Sequence, residues 1–278
     1  MRHIHFVTFA TPAFLVRQWL LNRTARWFGE VDTLHVWTKA RLARNGFIQR
    51  HAELFPGSTG FGWYAWKPYI ILQALLAAKD GDIVIYQDVG RRDPVLISRS
   101  LRKWAVFLTD HGFPCIAGVQ IPAWGANRLW TKRAVFAAMD LHGSRYEDEP
   151  QIQASWSVWQ KCPRAEVLVR EWAELCEHLD LVGGQLENGM DNEVVGFKEH
   201  RWDQSLLTLL ALRESLPVLN PNQRRTIGLN EKSIDSFSDI ARPSAGFKLF
   251  NLLFGMYAVV ERVIKKIAGT CRRRYSAQ

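Results

Sequence analysis

The sequence has few cysteines and no paired ones: Cys115, Cys162, Cys176 and Cys271 stand far apart, with no CxxC among them. That spacing excludes a zinc knuckle or a disulfide framework and fits a reducing compartment. Long hydrophobic runs are also missing. The uncharged stretch Leu249 to Val260 covers twelve residues, short of the roughly 20 that a membrane-crossing helix needs. The opening residues, MRHIHFVTFATPAF, contain no apolar core followed by a small-residue cleavage site, so no signal peptide is expected. No internal repeat or low-complexity segment is found, which leaves out repeat architectures. A spread of cations over the body is absent as well. Of the net charge of +9, residues 242 to 278 carry +7, with eight Lys and Arg against Glu261, and the first 241 residues only +2. A nucleic-acid binder would distribute its cations over the folded face that grips phosphates, so no nucleic-acid partner is expected.

What is present is enough for a large core. The chain has 278 residues, 47% hydrophobic and 23% charged, a globular composition. Strand-like alternation from His3 to Phe9 is followed by helical spacing from Leu15 to Phe28. A strand over Val31 to Thr38 and a helix over Arg41 to Phe55 come next. After the loop Pro56 to Gly60, Trp66 to Lys79 reads as a helix with Pro68 in its first turn. Ile83 to Tyr86 is a short apolar strand of the kind buried in a parallel sheet. Beyond it the pattern predicts a helix from about Pro94 to His111, a strand over Pro114 to Val119 and a helix over Thr131 to Leu141. A strand over Ile152 to Trp159, a helix over Arg164 to Leu179 and a helix over Trp202 to Arg213 complete the body, with a polar loop at Gly183 to Gly196. Alternating strands and helices predict an α/β fold, with ligands beyond the carboxyl ends of the strands.

Three clusters carry chemistry. Asp88 ends the apolar strand, where a carboxylate can meet a nucleotide or a hard cation; the plainer alternative is an Asp-Val-Gly turn. Trp63, Tyr64, Trp66 and Tyr69 surround Lys67 near a helix start, a place that favours phosphate, although some of these aromatics must be core. Glu199-His200-Arg201-Trp202-Asp203-Gln204-Ser205 offers a metal ligand, an acid or base and an amide at another helix start; capping by Asp203 is the alternative.

Taken together, GFGWYAWKPYIIL (60–72), GDIVIYQDVG (81–90) and HRWDQS (200–205) resemble a family of bacterial glycosyltransferases of capsule and lipopolysaccharide O-antigen assembly. Thr131 to Phe136 and Gln153-Ala154-Ser155 also resemble family segments, and the likeness spans residues 3 to 215. It implies a GT-A-like, Rossmann-like α/β domain over residues 1–241, with a mostly parallel central sheet flanked by helices. It further implies transfer of a sugar from a nucleotide-diphosphate sugar to a glycan acceptor, expected to be lipid-linked. Asp88 matches the carboxylate of the metal and nucleotide-sugar site, and Lys67 lies in the phosphate-side helix. Asp203 matches the late polar motif and is the first candidate for a catalytic base, with Asp191 and Glu199 behind it. Trp66, Thr8 and Gln204 join Lys67 as expected donor contacts. Asp88 is not part of a DxD motif, since position 86 is Tyr and position 90 is Gly; the divalent cation, Mn²⁺ or Mg²⁺, then rests on Asp88, with His200 to supply the missing ligand. The competing reading is a non-catalytic nucleotide-sugar-binding scaffold of the same fold. Residues 242–278 form a basic amphipathic tail, expected to hold the protein on the anionic inner face of the cell membrane through residues 247–274.

Overall fold

Ile4–Ala10 (β1) is buried at every position, as a strand must be when both faces of its sheet are covered. The structure is a computed structural model that describes residues 2–90, 95–186, 192–220 and 225–226. Leu15–Trp27 (α1) follows β1, then Thr33–Thr38 (β2), the short helices Lys39–Arg44 (α2) and Phe47–Arg50 (α3), and Trp66–Ala77 (α4). Next come Ile83–Gln87 (β3), Arg102–His111 (α5), Cys115–Ile116 (β4), Val119–Gln120 (β5), Arg133–Ala138 (α6) and Ser144–Glu147 (α7). Ile152–Gln153 (β6), Trp156–Gln160 (β7), Pro163–Glu177 (α8), Leu179–Val182 (α9), Asp203–Arg213 (α10), Leu219–Asn220 (β8) and Arg225–Thr226 (β9) complete the described chain.

The result is a mixed α/β fold around a central five-stranded sheet of order β2-β1-β3-β7-β4. β1 pairs in parallel with β2 and with β3, whereas β7 runs antiparallel to both β3 and β4. The apolar IVIY strand is therefore not enclosed by parallel neighbours, as its composition suggested. It pairs in parallel on one side only. Alternation along the strands sends side chains to two cores. Val7, Phe9, Val84, Tyr86 and Trp159 pack with α4 and α8 on one face. Ile4, Phe6, Ile83, Ile85 and Val158 pack with α1 and α5 on the other. Fully buried residues such as Ile70 and Ile71 of α4 contribute about 1.5–3 kcal/mol each.

Several expected elements are divided. The helix over Arg41 to Phe55 is interrupted at Gly46, whose φ of 74° lies in the left-handed region that ends a helix. Pro114 to Val119 and Ile152 to Trp159 each split into two strands belonging to different sheets, since β5 and β6 join β8 and β9 in a small second sheet. The helix expected from Pro94 starts only at Arg102. The basic tail, 242–278, and Asp191 lie outside the described residues. Among the described residues no helix is long and apolar enough to cross a membrane.

Candidate functional site

Asp88 lies one residue beyond β3, at the carboxyl rim shared with β1 and β2. Its backbone N–H is anchored to the Ser155 carbonyl at 2.8 Å, which fixes it beside the antiparallel strand β7. Tyr86 stands two residues earlier, so the strand pleat puts both side chains on one face. The Tyr86 hydroxyl donates to Asp88 Oδ1. Burial, and then the Asp88 charge, push the Tyr86 phenol well above its usual range, so the hydroxyl stays a donor.

Lys67 reaches the same face from α4. It is 4% exposed, and its Nζ sits 2.7 Å from Asp203 Oδ2. The Nζ also lies 5.1 Å from the Tyr64 ring centre and 5.7 Å from that of Tyr86, within cation–π reach. Burial works against the ammonium, but Asp203 and then Asp88 outweigh it and hold Lys67 above its ordinary value. Asp203 is the first residue of α10 and only 2% exposed. Burial lifts its carboxyl to about 6 against the pull of Lys67, and the Asp88 charge adds to the rise. Asp88, Lys67 and Asp203 thus form one charged cluster with Tyr86 beneath it.

The two helix starts that deliver Lys67 and Asp203 follow unusual backbone. Phe61, Trp63 and Tyr64 have φ of 59°, 54° and 61°, and Trp202, just before Asp203, has φ 54° and ψ −127°. Left-handed conformations in bulky residues cost of order 1–3 kcal/mol each and concentrate where function requires them. These same residues meet. The Tyr64 and Trp202 rings lie 5.6 Å apart and Trp63 and Trp202 6.3 Å. Gly60 (φ 63°) permits this loop, because a Cβ there would meet the Tyr64 ring at 2.0 Å. Arg201 extends the wall, its guanidinium 4.8 Å from the Trp202 ring centre and 4.9 Å from that of Trp124.

Other expected site residues go elsewhere. Thr8 is completely buried between Gln18 and Asn22 of α1, on the face of the sheet opposite Lys67. Trp66 donates its indole N–H to the Phe61 carbonyl at 2.9 Å and stacks on Phe9 with ring centres 3.7 Å apart. It holds the strained loop from inside. Gln204 donates to Gln151 Oε1 at 2.6 Å and accepts from the Ala154 N–H at 3.4 Å. Gln151 continues to Asn127, Thr131 and Ser205 at 2.8, 3.0 and 3.2 Å. Thr131, Gln204 and Ser205 therefore hold a buried polar network that fixes α10. His200 is 2% exposed, and its Nδ1 accepts from the Lys132 N–H at 3.5 Å. Burial, then Lys132, depress it to about 3. The imidazole is neutral, but its close charged neighbours are cations, and it does not join Asp88. Among the described residues no three His, Cys, Asp or Glu side chains come together as a metal cage. Glu199, the reserve candidate for a base, is exposed and paired with Arg201.

Tyr86 was invisible as a site residue in the sequence, where it reads as core; the one signal is its two-residue spacing from Asp88. A cavity of about 480 Å³ is lined by Arg128, Lys132, Arg133, His142, Asp180 and Glu193 among others. It contains none of the three charged residues.

No protein-family model matches the chain, and no curated protein matches it. Among solved structures the chain is similar to mouse xyloside xylosyltransferase 1 in its apo form, at 10% identity over 87% of this chain and 95% of that one, with a TM-score of 0.41.

Proposed function

We propose that the protein is a glycosyltransferase of GT-A-like fold that moves a sugar from a nucleoside-diphosphate sugar to a glycan acceptor, lipid-linked in bacterial surface-polysaccharide assembly. The observation that carries this reading is the meeting of Lys67, Asp88 and Asp203, drawn from three distant segments, at the carboxyl rim of β3. In the transfer the bond between the anomeric carbon and the diphosphate oxygen breaks, and negative charge develops on the leaving diphosphate. Lys67 is a cation already fixed and desolvated at that rim, so it stabilises the charge without reorganising. Asp88 is half-buried and is the carboxylate of the cluster open to substrate. Asp203 lies behind Lys67 and works through it, holding the ammonium charged and in place. That burial weighs against the role of base that its motif suggests. Tyr64 and Trp202 supply apolar faces beside the rim for a base or sugar.

A divalent cation arriving with the diphosphate would find Asp88, whose Oδ1 is already held by Tyr86. Mg²⁺ bound through one carboxylate plus substrate phosphates fits that donor set, and the ion would supply further neutralisation of the leaving group. The second reading, a nucleotide-sugar-binding scaffold without turnover, is favoured by one feature: a phenol stands two residues before Asp88 where a DxD motif would have its other carboxylate.

The test is Asp88→Asn in a donor-hydrolysis and transfer assay, alongside thermal melts with nucleoside diphosphates and their sugars, with and without Mn²⁺. The parent is expected to gain melting temperature with a matching donor. The variant should lose about a hundredfold or more in turnover when assayed well below its melting temperature, where it is fully folded. Full activity in the variant overturns the site. Donor binding without turnover in the parent, given an acceptor, establishes the scaffold.

A further inference from the structure

The outer face of α1 is unlike the rest of the surface. Leu15, Val16 and Trp19 are 45, 61 and 54% exposed, and at 100° per residue they share one arc with Arg23 and Arg26. Every residue of the arc is exposed, while Gln18, Leu20, Leu21, Asn22, Thr24 and Ala25 are buried against the sheet. Three arginines and no carboxylate occur in the helix, LVRQWLLNRTARW. The Arg23 guanidinium lies over the Trp19 ring, 5.5 Å from its centre. The acids that follow α1, Glu30 and Asp32, share the single Arg102, so this trio keeps one negative charge and offsets only one of the three α1 arginines.

From this arrangement we infer that the outer face of α1 docks flat on an anionic lipid bilayer, as a contact separate from the basic tail. A helix face carrying Trp, Leu and Val between arginines matches the boundary between headgroups and acyl chains, where indoles sit and cations meet lipid phosphates. Charge decides between the occupants. The tail of this chain is apolar enough to cover the arc but carries +7, the same sign as α1. A second copy would bring another cationic helix onto this one. An anionic membrane complements both the charge and the apolar arc. The placement has a geometric consequence too. α1 begins at the carboxyl rim of β1, and Arg17 donates to the Gly90 carbonyl at 2.9 Å, two residues from Asp88. A bilayer lying along α1 thus borders the rim of the candidate site, although the docking itself does not depend on the chemistry there.

The test is co-sedimentation of the full-length chain with phosphatidylcholine vesicles and with vesicles that also contain phosphatidylglycerol. Binding is expected on the anionic vesicles and should weaken with salt. Val16→Asp/Trp19→Asp should lower the partition coefficient at least tenfold, and Arg23→Gln about fivefold. Both effects should persist when Lys265, Lys266, Arg272, Arg273 and Arg274 are all changed to Gln, which removes the tail as the source. All positions of the arc are on the surface, so melting temperatures should stay with the parent; Trp19→Ala serves if the double variant does not fold. Three outcomes overturn the inference: the tail-neutralised chain fails to sediment, the α1 variants sediment like the parent, or sedimentation velocity shows a dimer that Trp19→Ala dissociates.

Discussion

Lys67 occupies the first turn of α4, where the helix dipole repels a cation, and it is buried as well. Only its carboxylate neighbours make that tenable. Removing the lysine while leaving Asp203 should therefore cost stability in a pH-dependent way. In Lys67→Met the Asp203 carboxyl must rise further above its present value of about 6, and burying it neutral is cheaper than burying it charged. A folded-state value raised above the unfolded one favours the native state at low pH, and that advantage is lost as pH rises through the interval between the two. The variant should thus fall furthest behind the parent above about pH 7, by roughly 3–5 kcal/mol in urea unfolding, and much less near pH 5. Lys67→Met/Asp203→Leu should recover most of the loss; a gap independent of pH would contradict the pairing. At this scale the sequence was partly legible. A lysine at a helix start, a carboxylate at a strand end and an aspartate opening another helix announce themselves by charge. Thr8 misled because the strand pleat, not residue type, decides its face: Val7 and Phe9 point toward α4, so Thr8 points toward α1. His200 misled because its polar neighbours in sequence are not its neighbours in space.

Among the elements, α10 shows how one motif can serve two ends. Asp203 faces the charged cluster, while Gln204 and Ser205 face the network of Gln151, Asn127 and Thr131. Gln204→Leu should leave Gln151 with an unmet buried amide and cost about 1–3 kcal/mol of stability. Donor binding, read by calorimetry at a temperature where the variant is folded, should be unchanged; a large loss of donor affinity would place Gln204 at the ligand instead. The long elements α1, α4, α8 and α10 were legible from their helical pattern, β1 from its alternation and β3 from its apolar run. The divisions were not. β4 and β5 read as one apolar strand, and β6 and β7 as one alternating strand, because a strand that leaves one sheet for another keeps its pattern. What marks the crossing is local: at Gly118 a Cβ would meet the Gln153 carbonyl at 2.6 Å, a close approach of two backbones that a lone glycine does not advertise.

Among the described residues two cores hold the molecule, one on each face of the central sheet, and their buried members run from Ile4 to Leu219. A chain ending at residue 226 should therefore still unfold in one cooperative transition; a broad, non-cooperative melt would show that residues 227–278 complete a core. Composition sets the cations of the tail apart in sequence from the nearly neutral body, a division that lies outside the described residues. The ion pair at the rim also has a bearing on synthesis. Its partners stand at positions 67 and 203, so the nascent chain carries the lysine long before the aspartate leaves the ribosome. At about 5–20 residues per second the interval is on the order of ten seconds. During that time Lys67 must keep its water, and α4 cannot close fully over the sheet. The counter-charge at the start of α10 thus sets the order of events: the apolar body can gather early, but the crevice becomes a finished object only when nearly the whole body has been made.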